Sequence, residues 1–181
     1  MFQPTNFLSG NIVSLKLIPE EDIDRLLEIE NLATNRLFAD DELPLSLDKA
    51  TLEKRWGSNN DDVLLGIYTK DDLLIGSCCM YQLNHNHSHC EIGLIIDSNW
   101  HNQGIGYETL ELLTRFIFDY LPINKIKLEV FAFNEGAIHL YEKFGFTLEG
   151  RLRQEIFRFG RYHDLLIYGL LRSEFEENKK N

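Results

Sequence analysis

The sequence is short of what would staple it covalently or anchor it in a bilayer. Only three cysteines occur in 181 residues, Cys78, Cys79 and Cys90. Their odd number and irregular spacing make no disulfide framework, and a reducing cytoplasm is the expected compartment. No apolar run approaches the roughly 20 residues that span a bilayer, so no membrane association is expected. Residues 1–6 have neither a basic n-region nor an apolar h-region, so no secretory signal is expected. Positive charge is also scarce. Eighteen Lys and Arg stand against 29 Asp and Glu, a net charge of −11. Residues 1–90 hold 7 basic and 15 acidic residues, net −8, while residues 91–181 hold 11 and 14, net −3. Such a field repels nucleic acid and attracts cations. A merely solvated acidic surface is the competing explanation. No Gly-Lys-Ser/Thr triplet occurs, which excludes a P-loop. Position 109 is Thr109 rather than the third glycine of the Rossmann fingerprint, which a nucleotide-binding oxidoreductase would need; an absence of NAD(P)H fluorescence change would remove that reading.

What is present is ordinary globular composition, 44% hydrophobic and 26% charged, over a length suited to a single domain, residues 1–181. Asn11–Ile18 reads as a strand. Pro19 opens a helix with Glu20, Glu21 and Asp22 in its first turn, where the macrodipole favours acids. Residues 33–46 read as loop or broken helix, and Asp48 as the cap of a short helix to Trp56. Val63–Thr69 and Leu73–Leu83 form a hairpin, and Cys90–Asp97 is a strand buried on both faces. Gly104–Tyr120 is a helix with Leu110, Leu113, Ile117 and Leu121 on one stripe, ended by Pro122. Lys125–Phe133 alternates as a strand. Asn134 caps a helix that stops at Gly145, and two strands, 146–158 and 162–171, follow. The tail from Glu174 is polar and expected to fray.

Two segments carry chemistry. Trp100-His101-Asn102-Gln103-Gly104-Ile105-Gly106-Tyr107 lies between a buried strand and a helix. Glycines there let backbone amides approach an anion at a helix N-terminus, with phosphate the natural ligand. A glycine turn serving chain geometry alone is the other possibility. In Asn134-x-x-Ala137-x-x-x-Tyr141-x-x-x-Gly145-Phe146, the first three named residues share a helix face. Tyr141 is either a core residue or a phenol aimed at a ligand. His85, His87 and His89 would share a strand face and could bind zinc, but Asn84 and Asn86 between them suggest a turn, so no metal is expected.

In this order and spacing the two segments resemble the GCN5-related N-acetyltransferase (GNAT) superfamily. Its loop pattern, Gln/Arg-x-x-Gly-x-Gly/Ala, is met by His101-Asn102-Gln103-Gly104-Ile105-Gly106, with His101 as the departure. The ending Phe159-Gly160-Arg161-Tyr162-His163-Asp164 is similar to the branch holding ribosomal-protein and spermidine N-acetyltransferases. The resemblance implies an α/β (α+β) fold: a mixed, mostly antiparallel central sheet, splayed between strands 4 and 5 and flanked by helices. Residues 90–171 would form the acetyl-coenzyme A-binding core, and residues 1–89 mainly the acceptor side. It implies acetyl-CoA as cosubstrate, a small amine or protein N-terminus as acceptor, and a homodimer. The backbone of Leu94, Ile95 and Ile96 would hold the pantetheine arm. Gln103, Gly104, Ile105, Gly106 and Tyr107 would hold the pyrophosphate, with His101 and Asn102 beside them in the cofactor site. Asn134, Ala137 and Lys143 would complete the cofactor site. In the spermidine enzymes the connection matching 84–89 helps to shape a polyamine site.

Acetyl transfer to an amine needs a base, because an alkylammonium with a pKa near ~10.4 has no free lone pair. It needs a donor for the oxyanion, expected at the N–H of Ile95 or Ile96, and a proton for the departing thiolate. Tyr141 is expected as that acid and Glu91 as the base; a surface glutamate is the competing account of Glu91. Direct transfer is expected over an acyl-enzyme, since no histidine is patterned beside the cysteines. Asp40, Asp41 and Glu42, with Glu91, are expected to bind a cationic acceptor. A coenzyme A-binding module without turnover is the alternative.

Overall fold

A computed structural model of the protein describes residues 8–39, 41–57 and 62–178. The chain runs β1 (Val13–Lys16), a 3₁₀ turn (Glu20–Asp22), α1 (Ile23–Glu30), α2 (Ala33–Phe38), α3 (Lys49–Gly57), β2 (Val63–Thr69) and β3 (Leu74–Asn84). It continues through β4 (His89–Ile96), a second 3₁₀ turn (Ser98–Trp100), α4 (Ile105–Tyr120), β5 (Lys125–Phe131), α5 (Glu135–Phe144), β6 (Thr147–Arg158), β7 (Arg161–Leu171) and α6 (Arg172–Asn178). Seven strands form one sheet in the order β1-β2-β3-β4-β5-β7-β6. Only β4 and β5 run parallel, and they pair at just His89↔Lys125, Cys90↔Ile126 and Glu91↔Lys127. Beyond Glu91, β4 stays with β3 as far as Gly76↔Ile96. From Lys127 onward β5 stays with β7, as far as Phe131↔Leu165. The sheet therefore opens into a wedge between strands 4 and 5, as the resemblance implies.

Strand alternation sorts side chains onto two faces. On one, Ile75, Cys78, Cys90, Ile92, Ile126 and Leu128 pack against the helical stripe of Leu110, Leu113 and Ile117. On the other, Leu74 and Tyr68 pack against Leu26 and Ile29 of α1 and Leu52 of α3. Local signals hold where they are local. Asp48 Oδ1 accepts the Thr51 N–H at 2.7 Å, capping α3. Asn134 Oδ1 accepts the Ala137 N–H at 3.3 Å, and Gly145 closes α5 at φ +113°.

Three expectations shift. The first strand begins only at Val13, because the N–H groups of Asn11, Ile12 and Val13 all bond the Glu108 carboxylate. The helix expected to open at Pro19 starts with a 3₁₀ turn, Glu20–Asp22, before α1 begins at Ile23, while α2 over Ala33–Phe38 is the broken helix expected within 33–46. The expected frayed tail is helical to Asn178: Phe175, buried, lies 5.3 Å from Phe118 between ring centroids. Arg172 secures its start by donating to the carbonyls of Leu121 and Ile123 at 2.9 Å.

Candidate active site

The wedge is lined from β4 by backbone. The Asp97 N–H donates to Ile75 O at 2.8 Å. Antiparallel alternation then turns the peptide groups of Ile95 and Gly93 toward β3, and those of Leu94 and Ile96 toward the gap. Of the three residues expected to offer backbone, Leu94 and Ile96 do so, whereas Ile95 is spent on the sheet. Asp97 then turns the chain. Burial alone would raise its carboxyl, but the Asn99 N–H and the Arg25 guanidinium, at 2.6 Å, hold it below the usual range.

The loop that follows is tied back to the strand. His101 Nε2 lies 3.1 Å from Ile96 O and Gln103 Nε2 donates to Asn99 O at 3.2 Å. Asn102 sits at φ +60° and Gly104 at φ +80°. Gly104 is the N-cap of α4, a conformation that favours glycine. The first intrahelical bond runs from Glu108 N to Gly104 O. The N–H groups of Ile105, Gly106 and Tyr107 thus have no helical acceptor and stand at the positive end of a 16-residue helix. Gly106 serves packing: a Cβ there would lie 2.8 Å from Leu140 Cδ2 of α5. The glycine pair is therefore both an amide cradle and a geometric necessity.

Helix α5 crosses close by and brings in the second motif. Tyr141 is 8% exposed, and burial, with a smaller push from Cys79, raises its phenol to about 12. Lys143 Nζ lies 5.9 Å from the Tyr107 ring centroid, which places a cation beside the amide cradle. Asn134, besides capping α5, donates to Phe38 O at 3.5 Å, and Ala137 is half-buried beside it.

On the opposite face of the sheet a cavity of about 290 Å³ reaches the wedge. Its floor is Ser77, Cys79, Tyr81 and the Gly93–Ile95 stretch, and its rim carries Asp41, Glu42 and Asp62. A Cβ on Gly93 would stand 2.9 Å from Cys79 Sγ, so this glycine keeps the floor open. Glu42 is engaged by Arg55 and lies 4.0 Å from Arg36. Asp40 lies outside the described residues. The connection 84–88 does not line this cavity. Glu91 is 7% exposed and bonded at 2.8 Å to Lys127 Nζ, so it is no surface glutamate. Burial raises the Cys79 and Cys90 thiols to about 12 and Cys78 well above its ordinary value, which keeps all three protonated. Among the described residues no group of three His, Cys, Asp or Glu is placed to hold a metal.

Sequence reasoning missed Glu108, Glu129, Cys79 and Tyr81. Glu108 fixes the start of β1 beside the loop by accepting three N–H groups at 2.6–2.7 Å. Nothing local marked it, since its partners are more than 90 positions away. Glu129 follows Lys127 on the same face of β5, one step past the last β4–β5 pair. The alternation of β5 could have indicated it.

A family model described as the acetyltransferase (GNAT) domain matches residues 13–147. The chain belongs to the GNAT acetyltransferases. As a GNAT enzyme it is an acetyl-coenzyme A-dependent acetyltransferase. It is 26% identical over 175 residues to the putative ribosomal N-acetyltransferase YdaF of Bacillus subtilis, across 92% of this chain and 95% of YdaF. It is 33% identical over 102 residues to the spermidine N(1)-acetyltransferase of Vibrio cholerae, 56% of this chain and 59% of that enzyme. The match to the prophage-derived N-acetyltransferase YokL of Bacillus subtilis, 38% identical, spans about half of each protein, 47% and 48%. The structure of the Vibrio cholerae spermidine N-acetyltransferase in complex with CoA and spermine superposes with a TM-score of 0.82 at 26% identity, over 91% of this chain and 98% of that one. Among the described residues no helix is long and apolar enough to cross a membrane.

Proposed function

We propose that this GNAT enzyme transfers the acetyl group of acetyl-CoA directly to a primary amine that carries positive charge, with a polyamine such as spermidine as the favoured acceptor and a protein N-terminus as the second. The observation that carries this is the wedge beyond Glu91–Lys127, with an amide-lined cradle on one face and an acid-rimmed cavity on the other. The relatives named for spermidine and ribosomal acetylation support the choice of acceptors.

The residues fit acetyl-CoA. The Leu94 peptide group and the Ile96 N–H face the gap and would pair with an extended pantetheine arm, the Ile96 carbonyl being engaged by His101. The amides of Ile105, Gly106 and Tyr107 would hold the pyrophosphate, with Lys143 adding charge. Hydrogen bonds to charged groups are worth roughly 1.5–3 kcal/mol each, so a few amides sustain micromolar affinity. Acetyl-CoA supplies an activated acyl group and a thiolate leaving group.

The acetyl carbonyl would lie against the Ile96 or Leu94 N–H, which stabilises developing negative charge on its oxygen. Tyr141, neutral across the physiological range, donates a hydrogen bond to sulfur as it departs. Two carboxylates face the wedge from the acceptor side, Glu91 from β4 and Glu129 from β5, and one of them takes the ammonium proton. Asp41 and Asp62 at the rim attract the cation. Transfer is direct because the three protonated, buried thiols are poor nucleophiles. A cytoplasmic homodimer is the expected setting.

A thiol-release screen with acetyl-CoA across spermidine, spermine, free amino acids and peptides beginning with Ala or Ser tests this. Turnover greatest with a cationic amine is expected. Equal turnover of neutral and cationic amines would remove the electrostatic part, and no turnover with any amine would remove the acceptor class.

A further inference from the structure

Two acids face the wedge, and their surroundings divide them. Glu91 is buried, stands opposite Lys127 in the last parallel pair, and is bonded to its ammonium at 2.8 Å. Its charge is committed to a lysine that would otherwise point a cation at the entering amine. Glu129 comes one step later on β5, on the same face, where β4 has already diverged. The β4 position that would have faced it is Gly93, which has no side chain and forms part of the cavity floor. Glu129 is exposed, so a proton it accepts can pass to water.

We propose that Glu129, and not Glu91, is the residue that takes the proton from the acceptor ammonium. This rests on the amine acetyltransferase assignment above and names a role within it. The ammonium gives one proton to the Glu129 carboxylate, which releases it to solvent. The freed nitrogen lone pair forms the C–N bond to the acetyl carbon. The C–S bond breaks with its electron pair on sulfur, which leaves as a thiolate hydrogen-bonded by Tyr141; the second nitrogen proton passes to water, and the thiolate takes its proton from solvent.

The groups facing Glu129 are Glu91 from β4, Lys127 on β5, Asp41 from the segment after α2 and Glu155 from β6. Partial desolvation of this otherwise exposed side chain raises its carboxyl, and the acids among these neighbours raise it further, against the opposing pull of Lys127. A carboxylate so placed holds a proton better than an ordinary glutamate, which suits a general base.

The test is the pH profile of kcat/KM from thiol release, with spermidine and with a peptide beginning with Ser. The wild type is expected to lose activity on the acid side at a pKa above that of an ordinary glutamate. Glu129→Gln is expected to lose about 100-fold in kcat/KM at neutral pH, a typical general-base contribution, and to lose the acid limb. Its melting temperature and acetyl-CoA Kd stay unchanged, because the side chain is exposed and off the cofactor face. Glu91→Gln keeps the acid limb while its overall rate falls. An unaltered acid limb in Glu129→Gln, or its disappearance in Glu91→Gln alone, overturns the assignment. A wild type that acetylates no amine overturns the acceptor assignment, and this proposal with it, before any variant is made.

Discussion

Replacing Tyr141 with Phe removes one oxygen and little else. The ring stays in its pocket, 5.9 Å from Phe146 between centroids, so stability should hold. The rate should not. A phenol raised to about 12 is a weaker acid than an ordinary thiol, with a pKa near ~8.5, so full proton transfer to sulfur is uphill by roughly 3.5 pKa units, about 5 kcal/mol. Tyr141 therefore helps chiefly as a hydrogen-bond donor to sulfur as negative charge builds. Such a bond to a charged partner is worth roughly 1.5–3 kcal/mol, or about 10- to 150-fold in rate. At saturating acetyl-CoA and acceptor, Tyr141→Phe should lower kcat by that factor, with acetyl-CoA Kd unchanged by calorimetry. Because the phenol stays neutral up to about 12, the wild-type kcat profile should show no basic limb from Tyr141 below that pH. A variant kcat within twofold of wild type would refute the role.

Other perturbations separate the parts of the site. Gly104→Val forces a β-branched residue to φ +80°, at a cost of about 1–2 kcal/mol, and deforms the cradle; its CoA Kd by calorimetry should rise at least about tenfold, and an unchanged Kd would detach the loop from cofactor binding. Asp41→Asn at the cavity rim should raise KM for a cationic acceptor about 2- to 5-fold, as for a screened surface charge, and leave KM for a neutral amine alone. Glu108→Gln should destabilise the protein by about 2–4 kcal/mol in urea unfolding, because a carboxylate accepting three N–H groups is replaced by an amide with one acceptor. A loss below about 0.5 kcal/mol would show that the clamp contributes little.

The legible parts of this molecule were those whose causes lie within a few residues. Gly104 and Gly106 before an apolar stripe, and Asn134 with Gly145 around α5, mark both helices and bring the cradle to Tyr141. The opening between strands 4 and 5 came from resemblance rather than from pattern. It arises because β4 and β5 each keep a different neighbour after Glu91 and Lys127. The acceptor side was read by charge, which singled out residues 40–42 for a cationic acceptor but not which of them are engaged within the protein. Glu42 is engaged by Arg55, while Asp62, Cys79, Tyr81 and Gly93 complete the cavity from strands and loops far apart in sequence. Glu108 shows the same limit: its partners at residues 11–13 are set by how β1 lies against α4, which no local window contains.

The central claim is that free amides at the start of α4, the Leu94 peptide group and the Ile96 N–H together hold acetyl-CoA in the wedge. Calorimetric titration of the protein with acetyl-CoA, and with CoA alone, tests it most directly. The account predicts one site per chain with a Kd in the micromolar range, about −8 kcal/mol, abolished or strongly weakened in Gly104→Val. Absence of binding heat with either ligand at several temperatures, or an affinity indifferent to Gly104→Val, would contradict it.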